Sequence, residues 1–353
     1  MVGRLSATVF MLGLVACSSD DSSSSDELAA IERGQASYEL YCALCHGALG
    51  QGYVSPKANA LTNEDFLISS TNEFLFVGIE QGRTETKMSS YGQDYLGPMS
   101  DTEIEELIAY LRSYQTEESL NLDESWQAVG DVENGASLYA AQCAGCHSVD
   151  LKGNSALSLN NPIFLRTASD AFLRYALEKG RRGTAMPAFE SQLSEQEIQD
   201  LIVFMRSSIQ DIDETPTPVD DPRETCPDIS YVGEGAEPVG FDAAGDDFLL
   251  GIDAIYPEYE RGAKFILVDA RPPADFNLHT IVGAISIPYY DMPSCVDAIP
   301  RDAWVVTFCA CPHDESVAAA QYLKDAGHEK VVVLDEGYIV WRLERGYPTT
   351  DSE

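Results

Sequence analysis

Two pentapeptides carry the most specific chemistry in the chain: Cys42-Ala43-Leu44-Cys45-His46 and Cys143-Ala144-Gly145-Cys146-His147. Two thiols three residues apart can each bond one vinyl group of a single porphyrin. A histidine after the second thiol then falls under the iron, so C-x-x-C-H reads as covalent haem attachment. Two motifs predict two covalently attached haem c groups, with His46 and His147 as iron ligands. A zinc site or a redox dithiol beside a chance histidine is the plainer reading of one motif; two in the same setting argue against it.

That setting is an internal repeat. Gly34, Tyr38 and Cys42 match Gly135, Tyr139 and Cys143. Phe74, Leu75, Gly82, Arg83 and Met88 match Phe172, Leu173, Gly180, Arg181 and Met186. Ser100-Asp101-Thr102-Glu103-Ile104 matches Ser194-Glu195-Gln196-Glu197-Ile198, so the chain holds a tandem duplication with small loop changes. The closing segment of each copy is predicted as an amphipathic helix, because Ser-x-x-Glu is a capping box and apolar residues follow at helical spacing. These are Ile104, Leu107, Ile108 and Leu111, then Ile198, Leu201, Ile202 and Met205, and they read as packing.

Each copy resembles a class I cytochrome c domain, an all-α fold in which a helix runs into the haem motif and a methionine loop precedes a last helix. The resemblance implies a thioether as second axial ligand, giving a six-coordinate centre suited to outer-sphere electron transfer. Met186, in Gly183-Thr184-Ala185-Met186-Pro187, fits that loop, and Met88 is its repeat equivalent. Ser89 replaces the proline in the first copy, and Met99 stands nearby as a competitor. Met99 abuts the Ser100 cap, where packing is the expected role, so Met88 is preferred. Arg83 and Arg181, with Arg182, lie on the approach to the methionine loops and could pair with haem propionates; solvated surface charge is the alternative.

At the N-terminus, one basic residue, Arg4, precedes the apolar stretch Val9 to Ala16, too short to span a bilayer and shaped like a secretory signal. Leu14-Val15-Ala16-Cys17 resembles the bacterial lipobox, which implies lipidation of Cys17 and a lipid-bilayer anchor. The Ser/Asp-rich run that follows suits a flexible tether. Residues 1–16 then form the signal and 17–28 the tether. The expected location is the periplasmic side of the outer membrane or the cell surface. The formal net charge of −36 is spread along all 353 residues. Such a field excludes nucleic acid as a natural partner and steers redox partners with basic docking surfaces, although solubility in a saline habitat explains it equally well.

The cytochrome-like copies are expected over residues 29–118 and 126–212. An acidic, proline-rich linker follows over 213–244, and a third domain over 245–353. In the third, Phe265 to Asp269, Ala284 to Ile287, Trp304 to Phe308 and Val331 to Leu334 read as buried strands, with helical sequence from Ser316 to Ala326. The pattern predicts a parallel α/β sheet. This segment resembles the rhodanese family through Val268-Asp269-Ala270-Arg271-Pro272, Gly283 to Pro288, Leu334-Asp335-Glu336-Gly337-Tyr338 and Trp341 to Pro348. The resemblance implies that Cys309, at a strand end, takes sulfane sulfur as a persulfide over a loop of backbone N–H groups. The loop departs from the family: Cys309-Ala310-Cys311-Pro312-His313-Asp314-Glu315-Ser316 is one residue longer, adds Cys311, and sets two acids where positive charge is usual. Thiosulfate, a dianion, should be poorly received. Thr280 also stands where the family has histidine, with His279 one place earlier.

Nine cysteines leave Cys226, Cys295, Cys309 and Cys311 after lipid and haem are assigned. In an oxidising compartment Cys226 and Cys295 could form a disulfide, leaving Cys309 to attack and Cys311 to resolve. Two functions stay open: electron transfer coupled to sulfide or sulfane-sulfur oxidation at Cys309, and a pure electron relay whose third domain docks a partner.

Overall fold

The computed structural model describes residues 21–55, 57–83, 86–209, 226–235, 239–241, 248–310 and 314–350. Cys17, Cys311 and most of the acidic linker lie outside the described residues.

Each cytochrome copy builds the same five helices. The first has α1 (Asp21–Tyr41), α2 (Ala43–His46), α3 (Glu64–Ser69), α4 (Asn72–Glu80) and α5 (Asp101–Arg112). The second has α6 (Val132–Gln142), α7 (Ala144–His147), α8 (Pro162–Thr167), α9 (Asp170–Lys179) and α10 (Glu195–Ser207). The tether is shorter than expected, because α1 begins at Asp21. Serine and aspartate suit a helix N-terminus, so a helix anchored by its packed C-terminal half can extend into such sequence.

Local signals set the helix starts. Asn63 and Asn161 cap α3 and α8, Thr71 and Ser169 cap α4 and α9, and Ser100 and Ser194 form complete capping boxes with Glu103 and Glu197. The haem-motif helices cross the last helices at glycine. A Cβ on Gly34 would sit 1.9 Å from the Glu106 carbonyl oxygen, and one on Gly135 2.1 Å from that of Asp200. Behind the crossing, Arg112 donates to the carbonyls of Leu67 and Ser70, and Arg206 donates to those of Leu165 and Ala168.

The two copies share one continuous apolar core rather than burying separate ones. At its centre Phe74 and Phe172 lie 4.9 Å apart, flanked by Phe66 and Phe164. Arg182 closes the seam from outside, its Nε 2.7 Å from Asp65 Oδ1 and its Nη2 3.0 Å from Glu117 Oε1. Arg182 is therefore an interdomain tie and no longer a propionate candidate.

The C-terminal unit is a five-stranded parallel sheet ordered β1-β5-β4-β2-β3: β1 (Leu249–Leu250), β2 (Ile266–Asp269), β3 (Ile285–Ser286), β4 (Val305–Phe308) and β5 (Val331–Leu334). Strands β2, β4 and β5 are buried at every position, which is why they read as continuous apolar runs. Helices α11 (Ile252–Glu260), α12 (Pro273–Leu278), α13 (Met292–Cys295) and α14 (Asp314–Asp325) cover the sheet. A disulfide joins Cys226 to Cys295, with Cα atoms 5.5 Å apart, and ties the segment entering the domain to α13. Among the described residues, no helix is long and apolar enough to cross a membrane.

Candidate haem sites and the Cys309 site

Each C-x-x-C-H motif forms the short turn of helix that follows α1 or α6. The tyrosine four residues before the first cysteine pins the turn: Tyr38 Oη donates to Gly47 O and Tyr139 Oη to Ser148 O, both at 2.7 Å. His46 and His147 are buried, and burial lowers both imidazole pKa values, favouring the neutral form that binds metal. Their Nδ1 atoms lie 2.8 Å from Asn59 O and 2.9 Å from Leu157 O. An N–H donated there leaves Nε2 for iron and fixes the ring.

The methionine loops are built alike. Arg83 N donates to Met88 O at 2.7 Å and Arg181 N to Met186 O at 3.0 Å. Thr86 and Thr184 close each turn, their hydroxyls accepting from Met88 N and Met186 N at 3.1 Å. Met88 and Met186 are thus structural equivalents, whereas Met99 is 1% exposed within the core. Sequence spacing leaves Met99 as a rival; the hairpin shared with Met186 belongs to Met88.

Whether haem suits these pockets is tested by the groups it would satisfy. Burial lowers the Arg83 and Arg181 guanidinium pKa values to about 10, and among the described residues neither makes an ion pair. Each donates back to the preceding carbonyl, Gly82 O at 2.9 Å and Gly180 O at 3.3 Å, and stacks on Phe74 or Phe172. A half-buried cation without a carboxylate is costly, and a propionate is the anion that would complete it. Cys42, Cys45, Cys143 and Cys146 form no disulfide. The donor set therefore fits haem c, which supplies a one-electron Fe(III)/Fe(II) couple when bound.

In the C-terminal unit Cys309 ends β4 and is fully buried, with Ser316 Oγ at 3.4 Å from its sulfur. Arg271 lies beneath, committed to Asp269 by two bonds of 2.9 and 2.6 Å, and Thr280 Oγ1 donates to the same carboxylate at 2.7 Å. Thr280 thus takes a structural role at the position where the family has histidine, while His279 stacks on Tyr338 and meets Arg342. Glu315 is 5% exposed, and burial raises its carboxyl well above the usual range, with Cys309 and Asp275 adding to the rise.

No motif or spacing indicates that this site faces the first cytochrome copy, yet the two are in contact. Tyr289 Oη donates to Leu40 O at 3.0 Å and Tyr41 O at 3.2 Å, and Tyr41 meets Tyr290 edge-on at 5.2 Å. Leu44, inside the first haem motif, packs against the core of the C-terminal unit. Cys45 lies within electrostatic reach of Cys309, Asp314 and Glu315. In the second copy, by contrast, Gln142, Gly145 and Cys146 are exposed.

These features define a tandem of cytochrome c domains followed by a rhodanese-like domain. Residues 29–111 and 130–205 match the family described as cytochrome c oxidase, cbb3-type, subunit III, and residues 258–344 match the rhodanese-like domain family. The matched segments are thus cytochrome c domains of electron-transfer type, a class that implies covalent haem c and redox partners, beside a rhodanese-like domain. Among curated relatives, the cbb3-type cytochrome c oxidase subunit FixP of Bradyrhizobium sp. is 27% identical over 209 residues, covering 56% of this chain and 68% of its own length. The FixP subunits of Rhizobium meliloti and Azorhizobium caulinodans are 25% and 29% identical, and the matches span 60% and 64% of their lengths. A solved Kuenenia stuttgartiensis reducing HAO-like protein complex aligns at 20% identity and TM-score 0.36, covering 51% of this chain and 96% of that one.

Proposed function

We propose that the chain is a lipid-anchored dihaem c-type cytochrome that relays electrons on the periplasmic side of the outer membrane or at the cell surface. Cys42, Cys45, Cys143 and Cys146 would attach the two haems, His46 with Met88 and His147 with Met186 would ligate iron, and Arg83 and Arg181 would hold propionates. Cys17 would carry the lipid. The observation that carries the reading is the duplicated pocket itself: two equivalent histidine, methionine and arginine sets meet across Phe74 and Phe172, 4.9 Å apart. Similarity to cbb3-type oxidase subunits supports an acceptor of the oxidase class. Haemochrome analysis should give two haems per chain, and Met88→Ala and Met186→Ala should each remove half of the methionine–iron absorption. One haem per chain would refute the proposal.

The burial of Cys309 against the first cytochrome domain favours a second element, coupling to sulfur oxidation. Joining Cys309–SH to hydrogen sulfide as Cys309–S–SH forms one S–S bond, breaks two S–H bonds, and releases two protons and two electrons. Two one-electron haem centres match that number. Anaerobic mixing with sulfide should reduce the haems of the parent and not of Cys309→Ala; equal rates would leave a pure relay whose third domain docks a partner.

A further inference from the structure

The Cys309 site is not complete within its own domain. On the rhodanese-like side Ser316 bonds to Cys309, and Glu315 lies within electrostatic reach of Cys309, of Asp275 and of the Arg271–Asp269 pair. Across the seam, Tyr289 is bonded to the backbone of Leu40 and Tyr41, Leu44 is packed into the C-terminal core, and Ser89 reaches Asp275. Cys309, Glu315, Tyr289, Tyr91, Ser89 and Cys42 are all under 9% exposed. Cys309 and Glu315 thus lie buried where the first cytochrome domain packs on the rhodanese-like domain.

The lining also limits what can enter. Arg271, a guanidinium in reach of Glu315, is already paired with Asp269: its Nε and Nη2 donate to that carboxylate, and Nη2 also donates to His279 O. An anion at Cys309 would therefore be buried beside Glu315 without an unpaired countercharge, which desolvation disfavours. Asp275 Oδ2 is buried with no hydrogen-bond partner, so the seam holds an acceptor that a small donor could satisfy.

We propose that Cys309 belongs to a composite site closed by the Leu40–Cys45 segment and Ser89 of the first cytochrome domain, and that this site takes a small, uncharged, hydrogen-bond-donating sulfur species such as hydrogen sulfide. Larger or anionic sulfur donors reach Cys309 only when the two domains part. The ligand class rests on the sulfur reading of Cys309 given above; the closure does not.

The test is thiol labelling of the full haem-loaded chain in a Cys311→Ser background, read by peptide mass spectrometry at Cys309. Probes are iodoacetamide, iodoacetate and a polyethylene-glycol maleimide, each normalised to its rate with cysteine. The parent should react with iodoacetamide at least about tenfold faster than with either other probe. Leu44→Glu, which perturbs the lid from the cytochrome side alone, should raise the maleimide rate by at least about tenfold. Tyr290→Ala, which loses the edge-on contact with Tyr41, provides a second opening variant. Equal maleimide rates in parent and both variants would overturn the closure, and equal normalised rates for iodoacetate and iodoacetamide would overturn the exclusion of anions. Failure of sulfide to reduce the haems with the labelling pattern intact would strike the sulfur reading alone.

Discussion

Gly135 offers the sharpest test of the packing argument. A Cβ there would lie 2.1 Å from the Asp200 carbonyl oxygen, 2.7 Å from its carbon and 2.8 Å from Phe204 Cβ. Ordinary contact begins at 3.4 Å, so α6 and α10 would have to separate by 1.3 Å (3.4 − 2.1) at their crossing. Two of the three atoms are backbone and cannot rotate away. In an exposed helix Gly→Ala would stabilise by about 1 kcal/mol, but forcing a close-packed interface apart costs ~1–3 kcal/mol or more. With backbone atoms in the clash the upper end of that cost applies, so a net loss of about 2 kcal/mol (3 − 1) is expected for Gly135→Ala, and likewise for Gly34→Ala, where the approach to Glu106 O is 1.9 Å. Because α6 feeds directly into the haem motif, the loss should fall on the second haem environment first. Denaturant unfolding followed by backbone circular dichroism and by the haem absorbance would show it. A neutral or stabilising Gly135→Ala would mean that the crossing is looser than described, and the role given to the repeated glycine would fall with it.

Met99→Ala should destabilise by about 2–4 kcal/mol through a core cavity while leaving the methionine–iron band intact, whereas Met88→Ala should remove the band from one haem; the opposite pattern in absorbance would exchange their roles. Arg83→Leu and Arg181→Leu each remove a positive charge beside a proposed haem, which disfavours the reduced iron, so each should lower one midpoint potential by roughly 40 mV for ~1 kcal/mol of lost interaction. A redox titration showing no shift, or a rise, would contradict propionate-side placement. Glu315 has a raised folded-state carboxyl pKa, so its stabilising contribution is present below the unfolded value of about 4.5 and is lost as pH rises toward the folded value. Glu315→Gln should therefore flatten the fall of Tm between that value and neutral pH; an unchanged slope would place Glu315 in water.

The parts of the structure carried by local signals were readable from the sequence. Ser100 and Ser194 announced their helices because a capping box is a four-residue pattern, and β2, β4 and β5 stood out because strands buried on both faces become unbroken apolar runs. Repeat offsets found Met88 and Arg83, and the offset of 94 would also have paired Arg112 with Arg206 (206 − 112), whose carbonyl contacts went unnoticed. What spacing could not show were contacts between segments far apart in the chain. Asp65 with Arg182, and Tyr289 with Leu40, have no period to detect, since each side looks locally like surface charge or an ordinary aromatic. Strand β1 escaped because two residues are too few to display alternation. The start of α1 at Asp21 was hidden by Ser/Asp composition that suits a tether and a helix terminus alike.

A tandem duplication by itself yields two interchangeable stations, and a row of interchangeable stations has no direction. Here the cysteine pair of the first motif is turned into the protein, with Cys42 buried and Leu44 packed against the C-terminal core, while Cys146 of the second motif is exposed. The fused domain thus breaks an ancestral equivalence: one station faces inward and one faces the medium. Polarity in such a molecule needs no difference in the repeats' own sequences, only a neighbour that chooses one of them.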